Sequence, residues 1–454
     1  MPEPAGVRPA RPFHPSTPAE RDMGPDLSFE RAIRFAAELV RIPSPPGGEE
    51  AVALRILDEL RALGFDEART DRAGNVIGRV AGTGGAPAVM LSSHMDVVDV
   101  GDPAAWEHDP YGGVVAGGFL HGRGAMDVKG PLALQLYAAA RFVEERPAGD
   151  LLMVCSVYEE KGGWGMMHLM GSLAERPGAV LLSEATDGDL CTGHRGHAEL
   201  AVEIHGVAAH ASAPERGRNP NLVLPHVLLA LAEISEAQPS DPVLGRATLT
   251  PTVIESWPRS GNVIPDRVRV TLDLRVLPGW DESRAVEEIR ARLAARVPPA
   301  EGVRVEVLPG VATHRAWTGW VDEHSTFTPG FLLADDHPVV AAAARAVRGA
   351  TGRQPRLRQW KFGTDGGHAC GTHGVPTIGY APGVEALAHT SRERLELGPA
   401  RIVYDAYPAV IRAVLAALAE AAPVPAAPGI AILPTPFALE PRREPLPVGG
   451  GPVS

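Results

Sequence analysis

The stretch Asp150–Gly163, DLLMVCSVYEEKGG, runs from unbroken hydrophobes into two adjacent carboxylates, Glu159 and Glu160, and stops at glycines. A short apolar run without polar alternation describes a strand buried on both faces, as in sheets covered by helices. Two neighbours repeat the pattern: AVMLSSHMDVV (Ala88–Val98) and AVLLSEA (Ala179–Ala185). Helical segments are expected between and around them. Ser28 caps one running to Val40, a second runs from Glu49 to Gly64, and others cover Gly130–Glu145 and Gly165–Glu175. Strands that alternate with helices in this way predict an α/β fold with a sheet covered on both sides.

Near residue 195 the rhythm changes. HAELAVEIHG alternates, Asn219–Glu236 is helical, RATLTPTVIES and DRVRVTLDLRV are strands, Asp281–Arg296 is helical, and GVRVEVL closes the set. That order, βαββαβ, is the split βαβ sandwich. The α/β pattern resumes with a helix over Pro338–Thr351, the strand PTIGYA and a helix over Pro399–Ala421. The expected organisation is therefore a tail over 1–26, a catalytic domain in two parts (27–194 and 309–422), an inserted ferredoxin-like domain over 195–308, and a proline-rich tail over 423–454.

Composition excludes several classes. With Lys+Arg at 43 and Asp+Glu at 55, the net charge of -12 argues against a nucleic-acid partner. No run approaches the roughly 18 uninterrupted apolar residues of a spanning helix, so no membrane association is expected. The N-terminal MPEPAGVRPARPFHPSTPAERD lacks the hydrophobic block of a secretory signal, which points to the cytoplasm. Cys155, Cys191 and Cys370 show no paired spacing and are expected to be reduced.

The chemistry-bearing residues fall at strand ends. His94 and Asp96 stand two apart, so both side chains project on one side of the sheet, and a metal-bound imidazole usually donates its second N–H to a carboxylate. Taken alone, this pair equally describes a polar strand end. Asp127, in HGRGAMDVKGP, follows glycines and precedes a helix, which alone would suit an N-cap. Glu159, Glu160 and Glu184 each follow a strand at its carboxyl end, the side on which open α/β sheets bind ligands. So many acids gathered in one crevice would repel one another unless cations offset them. His389, in GYAPGVEALAHTSRERLELG, joins the set from a loop after another strand.

Together these segments resemble the M20 metallopeptidases and deacylases, among them acetylornithine deacetylase, succinyl-diaminopimelate desuccinylase, aminoacylase and glutamate carboxypeptidase. The matching stretches, in family order, run from RIPSPPGGEE through SSHMDVV, WEHDPYGG, LHGRGAMDVKG, YEEKGGWG, LSEAT, AHASAPERGRNP, SGNVIPDRVRVTLDLR and GTDGGHACGTHGVPTIGY to AHTSRE. The resemblance implies a mixed-sheet di-metal hydrolase domain carrying the βαββαβ unit as a lid and dimerisation domain. It makes His94, Asp127 and Glu184 ligands of one divalent ion and Asp127, Glu160 and His389 ligands of a second. Three carboxylates and a bridging hydroxide would then balance two dications. Histidine and carboxylate donors suit Zn²⁺, with Co²⁺ or Mn²⁺ as alternatives.

The same resemblance assigns Glu159 as general base; the two-residue spacing from His94 adds Asp96 to the catalytic set as the imidazole's companion. The resemblance also gives His210 a role in stabilising the oxyanion, across a homodimer interface from the partner's metals. Asn262, Arg275 and Thr364 become substrate-binding groups, although several relatives carry a basic residue after the Thr-Asp pair where this chain has Gly366, Gly367 and His368. The expected activity is hydrolysis of the amide of an N-acyl amino acid, of the deacetylase or desuccinylase type. A metallo-carboxypeptidase or dipeptidase acting on short peptides is the nearest rival, and a non-catalytic binding or assembly protein on the same fold is the rival of another class. No G-x-S-x-G elbow or H-E-x-x-H helix occurs, so serine-nucleophile and single-zinc protease chemistry are disfavoured.

Overall fold

The computed structural model describes residues 25–421; apart from Pro25 and Asp26, the two expected tails lie outside them. Among the described residues nine strands form a mixed sheet, one of them, Leu357–Trp360, lying parallel to Leu190–His194 off its main path. At its centre Leu151–Ser156, Val89–His94, Ala179–Leu182 and Thr377–Gly379 run parallel to one another. Antiparallel strands extend both edges, Val76–Val80 and Glu67–Thr70 on one side, Leu190–His194 and Phe331–Leu332 on the other.

The unbroken apolar runs have the cause read from them: successive side chains enter opposite cores. Leu151, Met153 and Cys155 face one hydrophobic cluster with the helices Phe29–Val40, Lys129–Ala140 and Leu397–Ala421, while Leu152 and Val154 face another with Met166, Leu169 and Met170 of the helix Trp164–Ser172. The helix expected over Gly130–Glu145 is interrupted at Arg141, giving Lys129–Ala140 and Phe142–Glu145. The first of these is buried on every side, consistent with its apolar sequence.

Leu397–Ala421 is by length and composition long and apolar enough to cross a membrane. Half of that apolar stretch is buried, although Ile402 is exposed. Val403, Tyr404, Tyr407, Val410 and Val414 are buried, and the helix lies against Pro338–Thr351 and Lys129–Ala140. The Tyr407 hydroxyl donates to the Tyr380 carbonyl at 2.7 Å.

A second, four-stranded antiparallel sheet has the order Thr248–Trp257, Arg267–Val276, Gly196–His205, Arg304–Pro309, which is the ferredoxin-like arrangement of βαββαβ. Arg267–Val276 alternates strictly between half-buried and buried residues, because one face packs against the helices Leu224–Glu236 and Glu282–Arg296 and the other does not. The helix expected from Asn219 instead starts with a separate turn, Pro220–Leu222, capped by the Asn219 side chain. Pro225 then occupies the first turn of the helix proper, where its missing N–H costs nothing.

After this unit the chain forms a hairpin, Val311–Arg315 with Val321–Ser325, that returns to the larger body. Trp317 Nε1–H donates to the Gly74 carbonyl at 3.1 Å, and Trp320 stacks on Trp164 with centroids 4.9 Å apart. The three cysteines are free, Cys155 and Cys191 buried and Cys370 half-buried.

Candidate active site

Strand register assembles the site. His94 pairs with Ser156 and Ser92 with Leu182, so the strands bearing His94, the Glu159–Glu160 pair and Glu184 end at one level of the sheet. Just past Ser156 the backbone turns sharply. Tyr158 takes φ of 54°, and Gly162 and Gly163 take 93° and 73°, left-handed values that glycine adopts without strain. A Cβ on Gly163 would also lie 2.9 Å from Asp365 Oδ1. These glycines let the chain leave the sheet without covering the two carboxylates.

Asp127 stands between two groups of donors. Its Oδ1 is 3.2 Å from His94 Nε2, and Glu184 Oε1 is 3.5 Å from the same nitrogen. Its Oδ2 is 3.2 Å from His389 Nε2, which lies 3.0 Å from Glu160 Oε2. In each triad the donor atoms lie within 4.8 Å of one another. His94, Asp127 and Glu184 are buried, while the His389 side chain is 54% exposed and closes the group on the solvent side. His389 has φ of 60°, a strained value of the kind found at functional sites.

The electrostatics ask for cations. Burial, reinforced by Glu184, pushes Glu159 well above the usual carboxylate range, and burial raises Glu184 to about 8. Although burial opposes it, hydrogen bonds from His389 and His94 hold Asp127 far below the usual range. His389 is driven up to about 10 by Asp127 and Glu160. Acids that raise one another's pKa, beside two imidazoles held toward their charged form by acidic neighbours, mark a site short of positive charge. Two triads sharing one carboxylate, with one oxygen directed to each side, form a donor set fit for two divalent cations.

Asp96 corrects the sequence reading. Its carboxylate was expected to orient His94, but the ring nitrogen Nδ1 of His94 donates to the Asp96 backbone carbonyl at 2.8 Å. The strand ends at His94, so the alternation that would align the two side chains stops there. The Asp96 carboxylate instead accepts the backbone N–H groups of Glu159 and Glu160, both at 3.1 Å. Asp96 thus positions the acidic pair through its carboxylate and the imidazole through its backbone carbonyl, its Oδ1 standing 3.8 Å from His94 Nδ1.

The other expected residues divide. Arg275 and Thr364 line the same cleft as the acids, a cavity of about 420 Å³ that also includes His197 and Lys361. Arg275 is held by both oxygens of Asp273, at 3.1 and 3.2 Å, and Asp273 also meets His197 Nε2 at 3.1 Å. Thr364 is buried, its hydroxyl 3.0 Å from His194 Nε2, and the same nitrogen accepts the Thr364 N–H at 3.1 Å. His210 and Asn262 do not line the cleft. Both are exposed on and beside the short ribbon of Ala209–His210 with Val263–Ile264, where the Ala211 N–H donates to the Asn262 carbonyl at 2.9 Å.

Two buried acids escaped the sequence reading. Glu393 Oε1 accepts the N–H groups of Met126 and Asp127, both at 3.1 Å, and its other oxygen pairs with Arg123. Asp365 Oδ2 accepts the Ser156 hydroxyl at 2.6 Å, while its Oδ1 has no hydrogen-bond partner among the described residues. Each lies inside a stretch carrying another candidate, AHTSRE with His389 and GTDGG with Thr364. That proximity is the one available signal.

The family model for peptidase family M20/M25/M40 matches residues 90–420. An uncharacterized protein of Escherichia coli (strain K12), YgeY, is 32% identical over 365 residues, covering 80% of this chain and 89% of its own length. Succinyl-diaminopimelate desuccinylase of Paracoccus denitrificans is 32% identical over 278 residues, covering 58% of this chain and 72% of that enzyme. Among solved structures, aminopeptidase PepT from Bacillus cereus ATCC 10987 superimposes with a TM-score of 0.63 at 22% identity, covering 85% of this chain and 99% of PepT.

Proposed function

From the premise that this chain belongs to peptidase family M20/M25/M40, metal-dependent hydrolases of amide bonds, we propose that it removes the acyl group from an N-acyl amino acid. The observation that carries this reading is the pairing, in one cleft, of the Asp127-centred donor set with cationic side chains from elsewhere in the chain, Arg275 and Lys361. A substrate with a carboxylate beside its amide satisfies both ends. The relatives named as desuccinylases act on such a molecule.

Two divalent cations held by His94, Asp127, Glu184, Glu160 and His389, preferentially Zn²⁺, would acidify water and polarise the scissile carbonyl. Glu159, half-buried in the cleft wall, takes the proton of the attacking water on a carboxylate oxygen and returns it to the leaving amine nitrogen. A positioned acid/base of this kind contributes about 10²–10⁴ in rate. Asp96 holds the Glu159 and Glu160 backbone so that one acid serves the cation and the other the proton. Arg275 uses only part of its five-donor fork on Asp273, leaving N–H groups for the substrate carboxylate.

In this reading the unit over 195–308 is a lid and dimerisation domain of a cytoplasmic homodimer. The exposed ribbon bearing His210 and Asn262 serves the partner's cleft, which accounts for its distance from its own. The rival reading, a peptidase, draws support from the likeness to PepT. Turnover of a panel of N-acyl amino acids beside di- and tripeptides decides between them. Hydrolysis of N-succinyl or N-acetyl amino acids is expected, and turnover confined to peptides rejects the deacylase reading.

A further inference from the structure

A second group of metal-ligating side chains converges outside the cleft, where the loop after Pro103–Ala105 passes the strand Phe119–His121. Glu107, His108 and His121 each bring a donor atom within 4.8 Å of the other two. The imidazoles meet edge to face, with centroids 4.4 Å apart and planes at 69°. His121 is 9% exposed, and its Nε2–H donates to the Ala116 carbonyl at 3.3 Å. A neutral ring that donates from Nε2 keeps its lone pair on Nδ1, and a backbone carbonyl behind the ring is the usual orientation of a metal-bound histidine. Burial lowers the His121 pKa, which favours that neutral form.

The three residues line a cavity of about 230 Å³ with Leu387, Ser391 and Glu393, so there is room for an ion and its water. Arg392 and Arg394 also line it, the Arg394 guanidinium lying 4.3 Å from the centroid of the Phe119 ring, so an ion there sits beside two cationic side chains as well as Glu107 and Glu393. Two imidazoles and one carboxylate, without a thiolate, favour a borderline transition metal over Mg²⁺ or Ca²⁺, which take oxygen donors.

We propose that Glu107, His108 and His121 bind a third divalent transition-metal ion, of the Zn²⁺ class, separate from the cleft. Three protein donors leave one tetrahedral position for water. The ion ties the loop bearing Glu107 and His108 to a strand whose His121 pairs with Arg394, directly after Glu393. It therefore stiffens the support on which the Asp127 backbone rests.

The test is zinc stoichiometry. Wild-type enzyme, His108→Ala, Glu107→Gln and His121→Ala are equilibrated with excess zinc, passed through gel filtration and assayed for metal per folded chain. The variants are expected to hold one equivalent fewer than wild type. With Cu²⁺ added to zinc-loaded wild type, nitrogen hyperfine coupling from two imidazoles is expected in the paramagnetic resonance spectrum and is lost in His108→Ala. Should His121→Ala fail to fold, the more exposed Glu107 and His108 carry the test. Equal metal content in wild type, Glu107→Gln and His108→Ala overturns the proposal, as does a copper signal unchanged in His108→Ala.

Discussion

The backbone N–H of Asp127 donates to Glu393 Oε1 at 3.1 Å, across 266 residues of sequence. The shared carboxylate of the site is therefore held from behind by an acid on the far side of the chain, itself neutralised by Arg123. Glu393→Ala leaves Arg123 as an unpaired buried charge, a change that costs about 3–5 kcal/mol. A fall in the thermal midpoint together with weaker zinc binding is expected. An unchanged midpoint in calorimetry contradicts this role.

Asp96 fixes the turn on which the acidic pair stands. Asp96→Asn replaces one acceptor oxygen with a donor amide facing the N–H of Glu159 or Glu160. Loss of such support behind a ligand typically costs about 10–100-fold in metal affinity or activity. Competition with a chromophoric chelator should show weakened binding of one ion before the other.

Glu159→Gln separates proton transfer from metal binding. Metal content should match wild type while kcat falls by about 10²–10⁴. Stripping the metals from wild type abolishes turnover, and re-addition of Zn²⁺, Co²⁺ or Mn²⁺ one at a time reveals which restores it. A Glu159→Gln rate within a few-fold of wild type removes this residue as the base.

Arg275→Met keeps the length of the side chain and removes its charge. A charge-assisted hydrogen bond to a substrate carboxylate is worth about 1.5–3 kcal/mol, so kcat/KM should fall by about 10–150-fold. Substrates whose carboxylate is amidated should be indifferent to the substitution. Equal losses for both substrates contradict a carboxylate partner.

His194 supplies a pH dependence away from the metal ligands. Burial lowers its pKa from 6.5 to about 4, and Nε2 serves as acceptor for Thr364. Between those values the unfolded chain binds a proton that the folded one does not. Stability is then unaffected above pH 6.5 and lost as pH falls toward 4, at about 1.4 kcal/mol per pH unit. Urea midpoints measured in chelator from pH 4.5 to 7 should show a shallower slope for His194→Gln than for wild type.

Much of this architecture was legible in local pattern. The non-alternating runs at Val89–His94, Leu151–Ser156 and Ala179–Leu182 carry the sheet with two covered faces, and the strict alternation of Arg267–Val276 carries the second sheet with one. Burial leaves that imprint because a strand's side chains alternate between faces whatever lies far away in the chain. Glu393 and Asp365 left no such imprint. An isolated acid in a polar loop reads the same whether it faces water or, like Glu393, is 2% exposed and bonded to two backbone amides.

By itself the sequence determined which residue types arrive at the strand ends, since hydrophobic periodicity and turn glycines act over a few residues. Only the tertiary structure decided what each does there: that Asp127 turns one oxygen to His94 and the other to His389, that the Asp96 carboxylate binds backbone amides while its carbonyl takes the imidazole N–H, and that His210 stands apart. The reason is geometric. Hydrogen-bond partners are selected at about 3 Å by strand register and loop return, and those couple residues hundreds of positions apart.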